Sequence, residues 1–494
     1  MHQISRRRFI SLVSAAVGTT VAPLGLFYSR SASAECMING TSSGFGPLSP
    51  TIPLNTNDLG DTGPGNLVGM ALLELPPGFT YTAISITGQM MTDGTLVPGD
   101  HDGMACFTRP VRPHRRSGAR SARFYHLVRN HDLSPGENEF GNTLGVIGSP
   151  ENTYDPLVKG GGTTTLIVDN EGRLLRDYAS LSGTIRNCAG GLTPWGSWIS
   201  CEEDVTPASS SRVSVPHGYN FEVPAFRRKT VTAVPLVEMG RFNHEAVAVD
   251  PENGYIYQTE DRNDSAFYRF APRVRPRRYG DLQKGGDLYA MVINPDQFST
   301  CDSTHLPTTA ATSGATIVNT GSGVSQFLGQ PLAVSWVKLD DVDPVNDTLR
   351  NEAQNKGAAM FRRGEGMWYD KGLVYFVCTS AGNNGNGQVW AYDPARETVT
   401  LLVESKSSSE LDNPDNITVA PDGSLYLCED ASDAHIVGVD RTGRLFMFAR
   451  NNYDSSEFAG ACFSPDGRIM FVNQQGPGIT YCIFREDGRP ISTG

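Results

Sequence analysis

The chain is poor in charge, and poorest in positive charge. Charged residues make up 19% of it, and 41 lysines and arginines face 53 acids. A formal net charge of −12 argues against a nucleic-acid partner, which needs a basic footprint. No Gly-rich phosphate loop occurs, so a nucleoside triphosphatase finds no support. The nine cysteines contain no CxxC pair, which leaves a structural zinc ribbon without its usual ligands. Beyond the N-terminus no stretch is apolar enough to cross a membrane. Long runs of helical periodicity are scarce.

What is there begins with an export signal. Ser5-Arg6-Arg7-Arg8-Phe9-Ile10 precedes an apolar run ending near Tyr28, and Ala32-Ser33-Ala34 supplies small residues for cleavage. Paired arginines before the apolar run give the twin-arginine form. Gly18 and Pro23 interrupt that run, which argues against a membrane anchor. The expectation is that residues 1–34 are removed by the twin-arginine export machinery. That leaves 35–494 as a single domain with insertions, a periplasmic or secreted monomer with no stable membrane insertion. Losing residues 1–34, which hold four arginines and no acids, takes the charge from −12 to −16. Such a surplus of carboxylates is what hard cations need. Nine cysteines in an exported chain leave at least one unpaired.

Short β-type runs recur between turn signals. Examples are Thr163-Thr164-Thr165-Leu166-Ile167-Val168, Val374-Tyr375-Phe376-Val377 and Gln388-Val389-Trp390-Ala391-Tyr392. An internal repeat organises them. Its copies run Glu245 to Asp250-Pro251, Asp415 to Ala420-Pro421-Asp422-Gly423, Ala461 to Pro465-Asp466-Gly467, and Glu365 to Asp370-Lys371-Gly372. Each copy reads as a strand, a tight turn and a second strand. Repeated antiparallel units predict an all-β fold, a decorated β-propeller of six blades with an axial metal site. A pair of β-sandwiches is the alternative.

Glu245, Glu365 and Asp415 each stand five residues before the first residue of their turn. Equivalent positions at the start of propeller strands converge, and three converging carboxylates repel unless cations hold them. The last copy carries Ala459 in that register, so the fold itself does not require the acid. Glu260-Asp261 and Glu429-Asp430 close the next strand in two copies. They read either as a second layer of ligands or as ordinary loop carboxylates. In Trp195-Gly196-Ser197-Trp198-Ile199-Ser200-Cys201-Glu202-Glu203-Asp204, a thiol runs directly into three acids. That segment could hold a transition metal beside calcium. Asn130-His131-Asp132 also sits at a strand end, and on composition alone either segment reads equally as a plain loop.

With these segments on view, the chain resembles the PhoX-type alkaline phosphatases. Asn187-Cys188-Ala189-Gly190-Gly191 through Cys201-Glu202-Glu203 carries the resemblance, as do Gly240-Arg241-Phe242-Asn243-His244-Glu245, Arg363-Gly364-Glu365-Gly366 and Asp412-Asn413-Pro414-Asp415-Asn416. Leu75-Pro76-Pro77-Gly78-Phe79, Asp102-Gly103-Met104 and Phe471-Val472-Asn473-Gln474-Gln475-Gly476-Pro477-Gly478 complete it. Their order spans nearly the whole mature chain. The resemblance implies ferric iron (Fe3+) and several calcium ions (Ca2+) in an axial site. It makes Cys201 the thiolate ligand, and Glu245, Glu365 and Asp415 shared carboxylate ligands. Glu202, Asp132, Glu260 and Asp261 are further calcium candidates. Arg363 is the arginine that grips the substrate phosphate, a task suited to a bidentate guanidinium. The implied substrates are small phosphate monoesters. Where the family commonly has Asn-His-Glu, this chain has Asn130-His131-Asp132, and Gly364 stands where proline is common.

Two other readings use the same residues. One is a calcium-dependent propeller hydrolase of another class, such as a lactonase. The other is a propeller that binds without catalysing.

Overall fold

The computed structural model describes residues 42–109, 124–135, 145–208, 212–293 and 327–492. The expected export signal, residues 1–34, lies outside them. The fold is all-β and propeller-like. Among the described residues there are 26 strands in five hydrogen-bonded sheets, and the single α-helix is Leu349–Asn355. No described helix is long and apolar enough to cross a membrane.

Local chemistry explains the hairpins. Asp169 closes the strand Gly162–Asp169, and its Oδ1 accepts from the backbone N–H groups of Glu171 and Arg173, both at 3.0 Å. Asp440 does the same for Thr442 and Arg444, at 2.8 and 3.1 Å. An aspartate that caps its own turn offers the chain a reversal that a longer strand would forfeit. The repeat copies run through such turns, as at Ala420, whose carbonyl accepts from Gly423 N–H at 2.8 Å.

Six hairpins start from comparable first strands: His101–Phe107, Asn187–Leu192, His244–Val249, Gly364–Asp370, Pro414–Val419 and Phe458–Phe463. Each of these six packs beside the next, and Phe458–Phe463 packs back against His101–Phe107. Close approach at this inner surface needs glycine. A Cβ on Gly366 would lie 2.6 Å from the Asp415 carbonyl oxygen, and one on Gly103 would lie 2.5 Å from Ala189 Cα.

The nine-stranded sheet has two of these first strands, His244–Val249 and Gly364–Asp370, as its opposite edges. It is two meanders joined where Pro331–Lys338 pairs with Thr398–Glu404 through three residue pairs. The chain closes on itself at Phe79–Ile84, which pairs antiparallel with Ile479–Arg485 along its whole length. Aromatic side chains fill the space behind that seam: Tyr81, Phe448, Tyr426 and Tyr481 are fully buried together. Burying four such side chains is a large share of the apolar driving force available to one sheet pair.

Candidate metal centre

One irregularity recurs in all six hairpins. The register shifts by one residue between His101 and Met104, Asn187 and Gly190, His244 and Val247, Gly364 and Met367, Pro414 and Ile417, and Ala459 and Cys462. An extra residue at such a bulge is unpaired and its side chain is re-aimed. The residues just inside the shift are Asp102, Cys188, Glu245, Glu365, Asp415 and Gly460. Glu245, Glu365 and Asp415 therefore do share one structural position. The expectation for the last copy needs correction, because Gly460 holds the position and Ala459 precedes it. There the strand is one residue shorter between bulge and turn, since Cys462 stands two residues before Ser464 while Val247 stands three before Asp250.

A second layer follows from the neighbouring strand. The backbone N–H groups of Asp132, Glu203, Asp261, Thr379 and Asp430 donate to the carbonyls of Asp100, Arg186, Asn243, Arg363 and Asn413, between 2.8 and 3.2 Å. These five positions are equivalent, and four of them are acids. The residue before each is the last of its strand: His131, Glu202, Glu260, Cys378 and Glu429.

This splits the acid pairs. Glu202 is fully buried and already committed: its carboxylate accepts from the N–H of Ile185 (3.0 Å), Gly218 (2.9 Å) and Tyr219 (3.2 Å) and pairs with His217 Nδ1 at 2.6 Å. Glu260 accepts from Tyr268 Oη at 2.7 Å and lies 3.4 Å from Arg350 Nη1. Burial pushes Glu260 up to about 7, with Arg350 opposing. Glu429 accepts from the N–H of Asp412 (2.7 Å) and His435 (2.9 Å). The first acid of each pair thus fastens a loop, and the second faces the bulge layer. Glu202 and Glu260 stand apart from the centre; Glu203, Asp132 and Asp261 border it.

Two sets of side chains can hold a cation. Ligand atoms of Cys188, Glu203 and Glu245 lie within 4.8 Å of one another, and so do those of Glu245, Glu365 and Asp415. Glu245 belongs to both. Cys201 belongs to neither; its side chain is buried in the apolar cluster of Ile199, Leu236 and Phe242, at whose border Cys188 also lies. Cys201 is on the regularly paired strand opposite the bulge, while the bulge turns Cys188 toward the acids. The Cys188 thiol meanwhile donates to the His244 carbonyl at 3.2 Å.

The electrostatics ask for positive charge. Burial pushes Glu245, Glu365, Asp102 and Glu457 well above the carboxylate range, and neighbouring acids add to it. Glu203 is pushed up to about 8, by burial first, with Asp132 and Asp261 adding and Arg186 opposing. Asp415 rises to about 6, chiefly through burial. The Cys188 thiol is raised by burial and then by Glu245 and Glu203. In each of these groups burial and like charge disfavour the ionised form, and a bound cation favours it. Asp102 Oδ1 and Asn243 Oδ1 are buried acceptors without a hydrogen-bond partner, which is how an oxygen meant for a cation looks when no cation is present. One sulfur and many carboxylate oxygens suit a transition metal beside hard cations.

Arg363 borders the same centre. It donates to both Asp261 oxygens, at 2.7 and 2.9 Å, and to Glu365 Oε1 at 2.9 Å. Its backbone is left-handed, at φ +48°, and so are the corresponding residues Asp100 (+42°), Arg186 (+45°) and Asn413 (+47°). Non-glycine residues held there store strain, which clusters at functional sites.

The sequence pattern of the PhoX alkaline phosphatases matches residues 61–176 and 171–478. The chain belongs to the PhoX alkaline phosphatase family. It is a phosphoric monoester hydrolase by that membership. PhoX of Pseudomonas fluorescens, solved in complex with vanadate as a transition state analogue, shares the fold. The TM-score is 0.62 at 16% identity, covering 85% of this chain and 97% of that one. A gluconolactonase from Xanthomonas campestris aligns at TM-score 0.37 and 10% identity over 91% of this chain and 100% of its own, too distant to bear on function. No curated protein matches the sequence.

Of the residues that border this centre, the sequence did not single out Cys188, Glu203, Asp102 and Arg186 as ligands or contacts. A signal for the first was available. A turn begins at Thr193, whose carbonyl accepts from Gly196 N–H, and Cys188 stands five residues before it, as Glu245 does before Asp250.

Proposed function

We propose that this protein is an exported phosphatase that hydrolyses small phosphate monoesters at an iron and calcium centre on the axis of a six-bladed propeller. The observation that carries this reading is the convergence of the bulge residues. Five of the six equivalent positions are an acid or a thiol, beside an arginine that leans over them. The closed circuit of six first strands supports six blades, with the nine-stranded sheet counted as two. Export rests on the twin-arginine pattern of residues 5–34 and places the enzyme in the periplasm or outside the cell.

Cys188, Glu203 and Glu245 would hold iron, for which a thiolate is a fitting ligand. Glu245, Glu365, Asp415, Asp102 and Asp132 would hold calcium. When bound, these cations would polarise the phosphoryl oxygens and offset the negative field of the site.

The protein's own groups do the rest. Asp261 takes the Nε and Nη2 donors of Arg363 and so fixes the guanidinium, leaving its Nη1 edge for a phosphoryl oxygen. Asn243 donates to Glu203 Oε1 at 2.9 Å and so fixes that carboxylate. Glu202, braced by His217 and beyond it Asp155, anchors the loops on either side of Glu203. A preformed charge layout of this kind favours charge that develops in the transition state.

The test is elemental analysis of protein exported by its own signal, with assays on a phosphate monoester and a lactone before and after chelation. Iron with calcium, and a chelator-sensitive phosphatase, is the expected result. Calcium alone with lactone turnover refutes the proposal.

A further inference from the structure

Arg363 has a counterpart in Arg186. Arg186 stands at the same register position, one residue before a first strand, and both are held in the left-handed region, at φ +45° and +48°. Their contacts match as well. Arg363 bridges Asp261 and Glu365; Arg186 bridges Asp132, at 3.3 Å, and Glu203, at 2.5 Å. Each is thus tethered by second-layer acids that border the metal centre, and Arg363 by a bulge acid as well.

Around the circuit of first strands, the Arg186 and Arg363 strands are separated by one strand, His244–Val249, which carries Glu245. A chain of side chains runs from Arg186 through Glu203, Glu245 and Glu365 to Arg363. Successive carboxylates in it approach within 4.8 Å. The two guanidiniums therefore flank the two candidate cation positions that share Glu245. Both also remain open toward solvent: their side chains are 36% and 33% exposed, while the acids they grip are 3% to 13% exposed. The acids are below, and the arginines form the rim.

We propose that Arg186 is a second phosphoryl-binding arginine, which with Arg363 clamps the substrate from both sides and selects monoesters over diesters. A terminal phosphoryl group carries two negative charges and three free oxygens, enough to engage the remaining Nη1 edges of two guanidiniums at once. A diester offers one charge and two such oxygens, and it places an alkyl or aryl group where one fork would bind. Binding by both arginines thus strengthens monoester recognition twice and diester recognition once. This inference rests on the phosphatase reading above.

The experiment compares wild type, Arg186→Ala and Arg186→Lys, all exported and metal-loaded, on p-nitrophenyl phosphate and bis-p-nitrophenyl phosphate. Metal content and inhibition by inorganic phosphate are measured in parallel. Removing one charge-assisted donor should lower monoester kcat/KM by about 10- to 100-fold. Phosphate inhibition should weaken by a similar factor, diester turnover should change little, and metal content should hold. Added guanidinium should restore part of the monoester rate in Arg186→Ala. Lysine, a point charge without the fork, should recover only part.

Equal losses on both ester classes, with phosphate inhibition unchanged, overturn the clamp. So does a variant that loses its metals and regains both metals and full phosphate affinity as Arg186→Lys, since Arg186 would then serve only to hold Glu203. A wild-type enzyme inactive on every phosphate ester sinks the phosphatase reading itself. A wild type that is active while Arg186→Ala is unaltered sinks only this inference.

Discussion

Replacing Cys188 and Cys201 separately by alanine should give opposite results. Cys188 Sγ lies within 4.8 Å of ligand atoms of Glu203 and Glu245, so its loss removes the one soft ligand that the described residues offer to a transition metal there. Disturbing a residue behind the ligands already costs 10- to 100-fold in affinity or activity, so loss of a ligand itself should cost about 100-fold or more. Cys201 packs in an apolar cluster, and truncating it removes one small buried group worth about 1 kcal/mol. Iron should disappear from Cys188→Ala while calcium is partly retained, with phosphatase activity down at least about 100-fold. Any thiolate-to-iron absorption band should vanish with it. Cys201→Ala should keep its iron, its band and its activity, with a melting temperature lower by a few degrees. Elemental analysis, visible absorption, thermal melting and an ester assay on the two proteins decide the matter. Iron and activity lost from Cys201→Ala but kept in Cys188→Ala would refute the bulge argument.

The adjacent glutamates should separate in the same way. Glu203→Gln should fold and lose metal affinity, whereas Glu202→Ala should fail to fold well, because three backbone N–H groups and His217 lose their acceptor, a cost of about 3 to 5 kcal/mol for a broken buried pair. Chelation should make stability pH-dependent. Glu203 at about 8 and Asp415 at about 6 lie above their ordinary values of 4.5 and 3.8, so the folded apo protein binds more protons than the unfolded chain between those limits. The stability these two groups contribute is therefore fully present below about pH 4 and is lost as pH rises toward about 8, by up to about 1.4 kcal/mol per unit for each group. Melting curves with and without metals should diverge over that interval, and parallel curves would contradict the assignment. Tyr81→Phe should cost about 1 to 3 kcal/mol, since Tyr81 Oη accepts from Leu72 N–H at 3.0 Å and donates to the Thr51 carbonyl at 2.9 Å. Its activity at low temperature should be normal, and a melting point equal to wild type would show that the seam does not depend on that hydroxyl.

Sequence alone was enough for whatever is local. Turn aspartates and Pro-Asp-Gly segments act through neighbours two to four residues away, so the hairpins and their repeat were legible, and so was the register of Glu245, Glu365 and Asp415. The strands Gly162–Asp169, Leu373–Cys378 and Gln388–Asp393 lie where the β-type runs predicted them. Only the tertiary structure decided which thiol and which acid of each pair point inward. A strand alternates its side chains with period two, so a shift of one residue exchanges the two faces. The bulges that set this shift arise where six first strands crowd together, and no short window of sequence reports that crowding. Hence Cys188, re-aimed by its bulge, and Glu203, one residue past the end of its strand, came to face Glu245, while Cys201 and Glu202 did not.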